Sequence, residues 1–135
     1  MMLKGLLITE DGNWNYGEYI DDLENFHALI DCETVDMKFW WIGGHRFAFV
    51  LDDEGRLKSR EPTVFGPNAD PVFVGSVLVF GVRRTDDGLD FASLTDSEID
   101  MLETCSAVYA VGAHRKVLTN VTMREFTPWT LEVGD

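Results

Sequence analysis

The stretch that decides the fold is Pro71-Val-Phe-Val-Gly-Ser-Val-Leu-Val-Phe-Gly-Val82. Both alternating sets of side chains along it are mainly apolar, and β-branched and aromatic residues predominate, so the pattern favours a strand over a helix. A strand with two apolar faces has to be covered on both, which places it near the middle of its sheet. Gly75 within it indicates a bulge or a close backbone approach rather than a ligand site.

A helix is predicted to follow this strand, beyond a polar and acidic turn. Thr95-Asp-Ser-Glu98 has the spacing of a capping box, in which the Thr95 hydroxyl accepts from the Glu98 amide and the Glu98 carboxylate accepts from the Thr95 amide. Leu94 and Ile99 have the spacing of a hydrophobic staple. The helix is expected to continue to Gly112, with a buried stripe formed by Ile99, Leu102, Ala107 or Val108, and Val111.

The rest of the chain supplies further strands and one more helix. Strands are predicted at 3–9, 14–18, 34–42 and 47–51, with Gly43-Gly44 as the turn of a hairpin. Apolar residues at helical spacing predict a helix from about Ile20 to Ile30. Residues 59–70 carry proline and glycine and predict an irregular connection. We therefore expect an α+β fold, in which a mixed or antiparallel sheet of about five to six strands carries two helices.

A chain of 135 residues is expected to form one domain that buries roughly two-thirds of its unfolded surface. Residues 1–114 are predicted to form this α+β domain. Residues 115–135 are predicted to be an appended C-terminal segment that docks on the same domain through Met123–Phe126, Trp129 and Leu131.

The two cysteines, Cys32 and Cys105, are predicted to be free, buried thiols of a cytoplasmic protein, because a chain with an adequate core does not need a disulfide. The histidines show no spacing typical of metal ligands, so neither a metal nor another cofactor is expected. No run of eighteen apolar residues occurs, which excludes a membrane-spanning helix.

The charge balance is strongly acidic. Twenty-four acidic residues against eleven basic ones give a net charge of −13, which argues against direct binding to nucleic acid or to anionic membranes. Residues 5–37 contain nine acids and no base, and residues 85–114 contain seven acids and no base. These runs indicate either solvated faces or an acidic surface that engages a basic protein. The candidate face for such a contact lies on the predicted long helix and consists of Asp96, Asp100 and Glu103.

Five segments of the chain follow one another in an order shared with a known family. They are Leu3-Lys-Gly-Leu-Leu-Ile8, Asp21-Asp-Leu23, Phe49-Val-Leu-Asp-Asp-Glu-Gly55, Val74-Gly-Ser-Val-Leu-Val79 and Asp90-Phe-Ala-Ser-Leu-Thr-Asp-Ser-Glu-Ile99. Together they resemble the small "domain of unknown function" proteins carried by bacterial chromosomes, plasmids and phages. The resemblance covers about Met2–Leu102 and is strongest over Gly75–Ile99. It implies the company of mobile elements and a cytoplasmic location, and it implies no activity, cofactor or catalytic residue.

Two classes of function remain open. The first is a noncatalytic accessory or interaction protein, since no nucleophile–base signature, glycine-framed acid pair or metal cluster is present. In the specific version of this hypothesis, the acidic surface imitates DNA and occupies the DNA-binding surface of a host enzyme, which would benefit a mobile element. Exposed aromatic side chains would also support a homodimer. The alternative is a small-ligand binder or enzyme whose site the tertiary fold assembles, and its candidate residues are His45, Arg46, Asn68 and Asp70.

Overall fold

A computed structural model describes residues 2–68, 70–111 and 113–122 of the chain. Within these ranges the strands are β1 (Met2–Ile8), β2 (Trp14–Ile20), β3 (Val35–Ile42), β4 (His45–Asp52), β5 (Pro62–Phe65), β6 (Pro71–Val74), β7 (Val77–Thr85), β8 (Gly88–Ala92), β9 (Ser106–Val111), β10 (Ala113–Leu118) and β11 (Val121–Thr122). The helices are α1 (Leu23–Ile30) and α2 (Asp96–Thr104), together with one 3-10 turn at Gly55–Lys58.

The strands form two sheets. The large sheet has seven strands in the order β11-β3-β4-β7-β1-β2, with β8 also paired to β7, and these strand pairs are antiparallel. The small sheet has the order β6-β5-β10-β9, and β5 and β10 run parallel. The fold is therefore sheet-rich with two helices, as expected, but the prediction of one sheet with five to six strands is wrong.

The reason for the second sheet lies at Gly75. The sequence predicts one strand over 72–82, but β6 ends at Val74 in the small sheet and β7 begins at Val77 in the large one. Gly75 has a φ of +77°, which a glycine adopts without strain, and a Cβ there would lie 2.7 Å from Cδ of Arg60. The glycine thus marks a break between two strands, and the group closest to it is the arginine side chain rather than a second backbone.

β7 is the centre of the core. It lies between β4 and β1, and its residues 77–81 are buried. Val77 and Val79 pack on the face covered by α2 and the small sheet, whereas Leu78 and Phe80 pack on the face covered by α1. The prediction that this strand has two covered apolar faces is confirmed for its second half.

The capping box of α2 is confirmed, but the length predicted for the helix is wrong. The Thr95 hydroxyl accepts from the Glu98 amide at 3.2 Å, and the Glu98 carboxylate accepts from the Thr95 amide at 2.9 Å. The helix ends at Thr104, because residues 106–111 form strand β9 and pair with β10 instead. Val108, assigned to the buried helix stripe, is 67% exposed. Gly112, the predicted stop, lies outside the described residues.

Two further boundaries differ from the prediction. α1 begins at Leu23 rather than Ile20, because Ile20 is the last residue of β2 and lies opposite Met2. The Asp22 carboxylate caps the helix by accepting from the amide of Asn25 at 2.8 Å. The connection expected to be irregular over 59–70 contains strand β5, which pairs with β6 and β10.

The C-terminal part of the chain contributes to both sheets. β10 lies inside the small sheet, and β11 pairs with β3 at the edge of the large one. Residues 123–135, which carry Met123–Phe126, Trp129 and Leu131, lie outside the described residues, so their docking stays a prediction.

The two cysteines lie on opposite faces of the large sheet. Cys105 belongs to the core cluster on the α2 side, and Cys32 packs against the cluster on the α1 side. Both thiols are free, as predicted, but only Cys105 is buried, and Cys32 is half-buried. Neither described helix has the length and apolar character needed to cross a membrane.

Candidate functional site

The acidic row predicted on α2 is exposed but partly paired. Asp96 lies 3.9 Å from Nζ of Lys4. Glu103 lies 2.8 Å from Nζ of Lys116 and also accepts from the Tyr16 hydroxyl at 3.1 Å. Burial, followed by the charge of Glu103, raises the pKa of Tyr16. Of the three predicted carboxylates, Asp100 alone has no basic partner among the described residues, so the row is weaker as a charged surface than the sequence indicates.

The alternative site residues are distributed over both sheets. His45 and Arg46 begin β4 beside the Gly43-Gly44 turn, whereas Asn68 and Asp70 are exposed in the connection between β5 and β6. Burial lowers the pKa of the Arg46 guanidinium, and the charge of Glu98 opposes this effect. None of these four residues lines any of the three clefts described next. These three clefts therefore do not bring the four residues together.

A polar cleft of about 420 Å³ lies at the end of α1. Asp31 caps the C-terminal end of α1 and has a left-handed backbone (φ 58°), which turns the chain. Its amide donates to the carbonyl of His27. This turn places the half-buried Cys32 at the rim of the cleft. The residues lining it are His27, Asp31, Cys32, Glu33, Thr34, Asp52, Glu54 and Lys58.

Asp52 is the buried carboxylate of this cleft, with a side chain that is 1% exposed. It accepts from Nζ of Lys58 at 2.8 Å and from the amide of Glu54 at 2.9 Å, and Nε of Arg60 lies 3.6 Å away. Burial alone would raise the pKa of Asp52, but these hydrogen bonds and positive charges outweigh it and lower the pKa. Asp52 is therefore an ionised group committed to an internal ion pair.

A thiol, an imidazole and a carboxylate thus line one cleft, a combination that the sequence analysis missed. Burial, and then the charge of Asp52, raise the pKa of the Cys32 thiol, which keeps it protonated at neutral pH. A nucleophilic cysteine instead needs a lowered pKa. Among the described His, Cys, Asp and Glu side chains, no group of three could hold a metal ion. The cleft therefore contains residue types found in catalytic sites, but its thiol is not activated as a nucleophile and its buried carboxylate is held in an ion pair.

Two other clefts are present in the described structure. One, of about 510 Å³, is polar and is lined by Thr9, Glu10, Asp11, Glu61, Ser76 and Arg115. Its buried guanidinium, that of Arg115, lies 3.0 Å from Glu61. The other, of about 310 Å³, is lined by Phe65, Gly66, Pro67, Ala107, Val108, Val117, Thr119 and Asn120.

A second acidic surface lies between the end of β2 and the first turn of α1. We call it the acidic edge and define it as Glu18, Asp22 and Glu24. All three residues are exposed, and within the described part of the chain no basic side chain forms an ion pair with them. β2 is the last strand of the large sheet on this side, and Ile20 at its end is 43% exposed. The base-free run over 5–37 was the sequence signal for this surface.

Comparisons of the chain with protein-family models, with curated proteins and with solved structures found no match. The resemblance to the domain-of-unknown-function proteins therefore rests on its five segments and stays a prediction.

Proposed function

We propose that this protein is a noncatalytic interaction protein that binds a basic protein partner through the acidic edge. The observation that carries the proposal is the contrast between two acidic surfaces. Lys4 and Lys116 pair with the α2 row, whereas Glu18, Asp22 and Glu24 have no cationic partner among the described residues. Exposed like charges raise the association rate with an oppositely charged partner and weaken the folded state through repulsion.

The state of the polar cleft supports a noncatalytic role. Asp52 is neutralised by Lys58 and Arg60, and the Cys32 thiol is protonated. A catalytic carboxylate or thiol needs free access to a proton or to an electrophile, which these contacts and protonation states oppose.

DNA imitation by the α2 row receives less support. Along a helix, Asp96, Asp100 and Glu103 are separated by rises of about 6 Å and about 4.5 Å, at about 1.5 Å per residue. One strand of a duplex carries one phosphate for about every 3.4 Å of the duplex axis, so the α2 row has fewer charges per unit of axial length. We propose the broader function of binding a basic partner, in a cytoplasmic protein of the kind carried by mobile elements. The free thiols and the sequence resemblance support that setting.

The test compares two triple variants that remove the same charge. Glu18→Gln, Asp22→Asn and Glu24→Gln neutralise the acidic edge, and asparagine at position 22 keeps the helix cap. Asp96→Asn, Asp100→Asn and Glu103→Gln neutralise the α2 row. Binding of a labelled oligolysine peptide is measured by fluorescence anisotropy at low and high salt.

We expect the acidic-edge variant to bind the peptide several-fold more weakly than the α2-row variant, with a shallower salt dependence. A stronger loss in the α2-row variant would move the contact to the surface predicted from the sequence. Equal losses would show that the charge acts diffusely, and the proposed surface would be wrong.

A further inference from the structure

The outer edge of β2 presents backbone groups that lack a strand neighbour. In the antiparallel pair of β1 and β2, Lys4 lies opposite Glu18. The Lys4 amide donates to Oγ of Ser93 at 3.0 Å, and its carbonyl accepts from the amide of Leu94 at 2.9 Å. Both groups of Lys4 therefore point away from β2. Because the bonding pattern alternates in antiparallel ladders, the backbone groups of Glu18 point away from β1 and toward the open edge.

The same alternation turns the backbone groups of Trp14 and Tyr16 toward that edge. Within the described part of the chain, no hydrogen bond engages the amides or carbonyls of Trp14, Tyr16 and Glu18 on this side. The carbonyl of Ile20, at the end of the strand, accepts from the Asn25 side chain at 2.8 Å. The open edge therefore extends from Trp14 to Glu18.

We propose that the partner binds by adding an extended basic segment to this edge as a further strand of the large sheet. This inference rests on the proposed function and deepens it, because it names how the basic partner is held. Exposed sheet edges bind peptides through main-chain hydrogen bonds, and the alternating side chains provide specificity. β2 carries neither proline nor lysine, which edge strands commonly use to prevent such pairing.

The charges on this edge determine what the added strand carries. Glu18 is exposed at the end of the open edge, so the residue opposite it on the added strand is lysine or arginine. Ile20 on the same face is 43% exposed, and its neighbour Met2 is 54% exposed, so an apolar residue lies opposite Ile20. Asp22 and Glu24 follow at the end of the strand and attract further basic residues.

The opposite face of the edge has space for a large side chain. The atoms nearest to a Cβ placed on Gly17 belong to the Tyr19 phenol and lie 3.7–3.8 Å away, which is an ordinary van der Waals distance. An aromatic residue of the added strand fits opposite this glycine. The expected segment therefore alternates between a face with one basic and two apolar residues and a face with an aromatic residue.

A second copy of this chain is a poorer occupant than a basic segment. Pairing β2 with itself would bring two copies of Glu18 together on molecules that each carry a net charge of −13. Like charges across a strand pair destabilise it. Charge complementarity thus selects a basic partner.

The test uses a labelled peptide, Arg-Arg-Val-Thr-Lys-Tyr-Val-Thr, and a twin that is N-methylated at the lysine and at the second valine. Antiparallel addition places the lysine opposite Glu18 and the tyrosine opposite Gly17. N-methylation removes the two amides that would donate to β2 and leaves the charge unchanged. Losing two hydrogen bonds weakens binding about tenfold or more.

A matched pair of protein variants tests the same main-chain hydrogen bonds by changing the protein instead of the peptide. Glu18→Gln and Glu18→Pro remove the same charge, but only proline removes the edge amide, and proline is tolerated where that amide faces solvent. We expect Glu18→Pro to bind the peptide about tenfold more weakly than Glu18→Gln. Circular dichroism checks that both variants fold; should Glu18→Pro fail to fold, the methylated twin decides.

Amide hydrogen exchange gives an independent readout in the unmodified protein. The amides of Tyr16 and Glu18 should exchange rapidly in the free protein and become protected when the peptide binds. The amides of Asn15 and Gly17, bonded to β1, should be protected in both states. Equal binding of the two peptides, or unchanged exchange at Tyr16 and Glu18, would overturn strand addition. If that occurs while the acidic-edge variant still loses oligolysine binding, the proposed function stands without it.

Discussion

At the scale of single residues, Arg60 shows how one basic side chain binds acidic groups from several parts of the fold. Its guanidinium lies 3.3 Å from Glu10 and 3.6 Å from Asp52, and donates to the carbonyl of Asp31 at 3.1 Å. It thus joins the β1–β2 turn, the end of α1 and the end of β4. Because basic side chains such as this one are bound inside the fold, the surplus of acid remains at the surface.

The ion pair of Asp52 provides a test of this arrangement. We expect Asp52→Asn to lower the free energy of unfolding by about 2–3 kcal/mol, less than for a fully buried pair because Lys58 is partly exposed. The pKa of Asp52 lies below its ordinary value of 3.8, so the stabilisation is present above that pH and is lost as the pH falls through the lowered pKa. Urea unfolding between pH 7 and pH 2 measures the difference.

Asp53→Asn is the matched control, because it removes the same charge from an exposed neighbour. Its effect should stay within about 0.5 kcal/mol at every pH. A constant difference between the wild type and Asp52→Asn down to pH 2 would contradict the assigned ion pair.

A second residue-scale prediction concerns Gly75. Gly75→Ala imposes a positive φ on a residue with a Cβ and displaces Arg60, so it should destabilise the fold by about 1–3 kcal/mol. Gly17→Ala, where a Cβ has room, should change stability by no more than about 0.5 kcal/mol. Equal effects of the two substitutions, measured by chemical denaturation, would show that the backbone at Gly75 is not constrained.

At the scale of secondary structure elements, local chemistry sets where the helices begin and strand pairing sets where they end. Asp22 and Thr95 cap α1 and α2 with their side chains. After α2 the chain enters β9 because β10 offers it a complete antiparallel ladder. A helical continuation would leave the side of β10 that faces β9 without strand hydrogen bonds, which is costly where the backbone is buried.

The cap of α2 is directly testable. Thr95→Ala removes the acceptor for the Glu98 amide and should lower the free energy of unfolding by about 1 kcal/mol. Thr95→Ser keeps the acceptor and should restore most of that loss, while Ser97→Ala at an exposed position should be near neutral. Thermal unfolding of the three variants checks the order, and a harmless Thr95→Ala would contradict the capping assignment.

At the scale of the whole molecule, one sheet face packs on α1 and the other packs on α2 and the small sheet. The polar network of Arg60, Asp52 and Glu10 lies where the two sheets meet, and the acidic edge lies at the outer strand of the large sheet. The network around Asp52 is thus partly buried and paired, whereas the acidic edge is exposed and forms no ion pair among the described residues.

This distribution predicts how salt affects stability. Raising NaCl from about 0.01 M to about 1 M shortens the screening length from about 30 Å to about 3 Å. With a net charge of −13, repulsion is expected to dominate over the ion pairs, so the Tm should rise. The acidic-edge triple variant should have a higher Tm than the wild type at low salt, and its Tm should change less when NaCl is added. A Tm that falls with salt would show that the ion pairs dominate.

The sequence by itself determined the features that neighbouring residues control. The capping box at Thr95, the two-glycine hairpin after Ile42 and the doubly apolar strand before the acidic turn are all present. Each depends on hydrogen bonds or side-chain periodicity within a few residues. The acidic runs were likewise visible, although not which of their carboxylates are paired.

Only the tertiary structure decided which sheet each strand joins and which carboxylates stay unpaired. The break at Gly75 depends on Arg60, and the neutralised Glu103 depends on Lys116 and Tyr16. Residues 106–111 form a strand because β10 pairs with them, although their apolar pattern also fits a helix. These outcomes depend on contacts between residues distant in the chain. Ladder partners and ion pairs form only when the fold brings them together, and no local pattern specifies them.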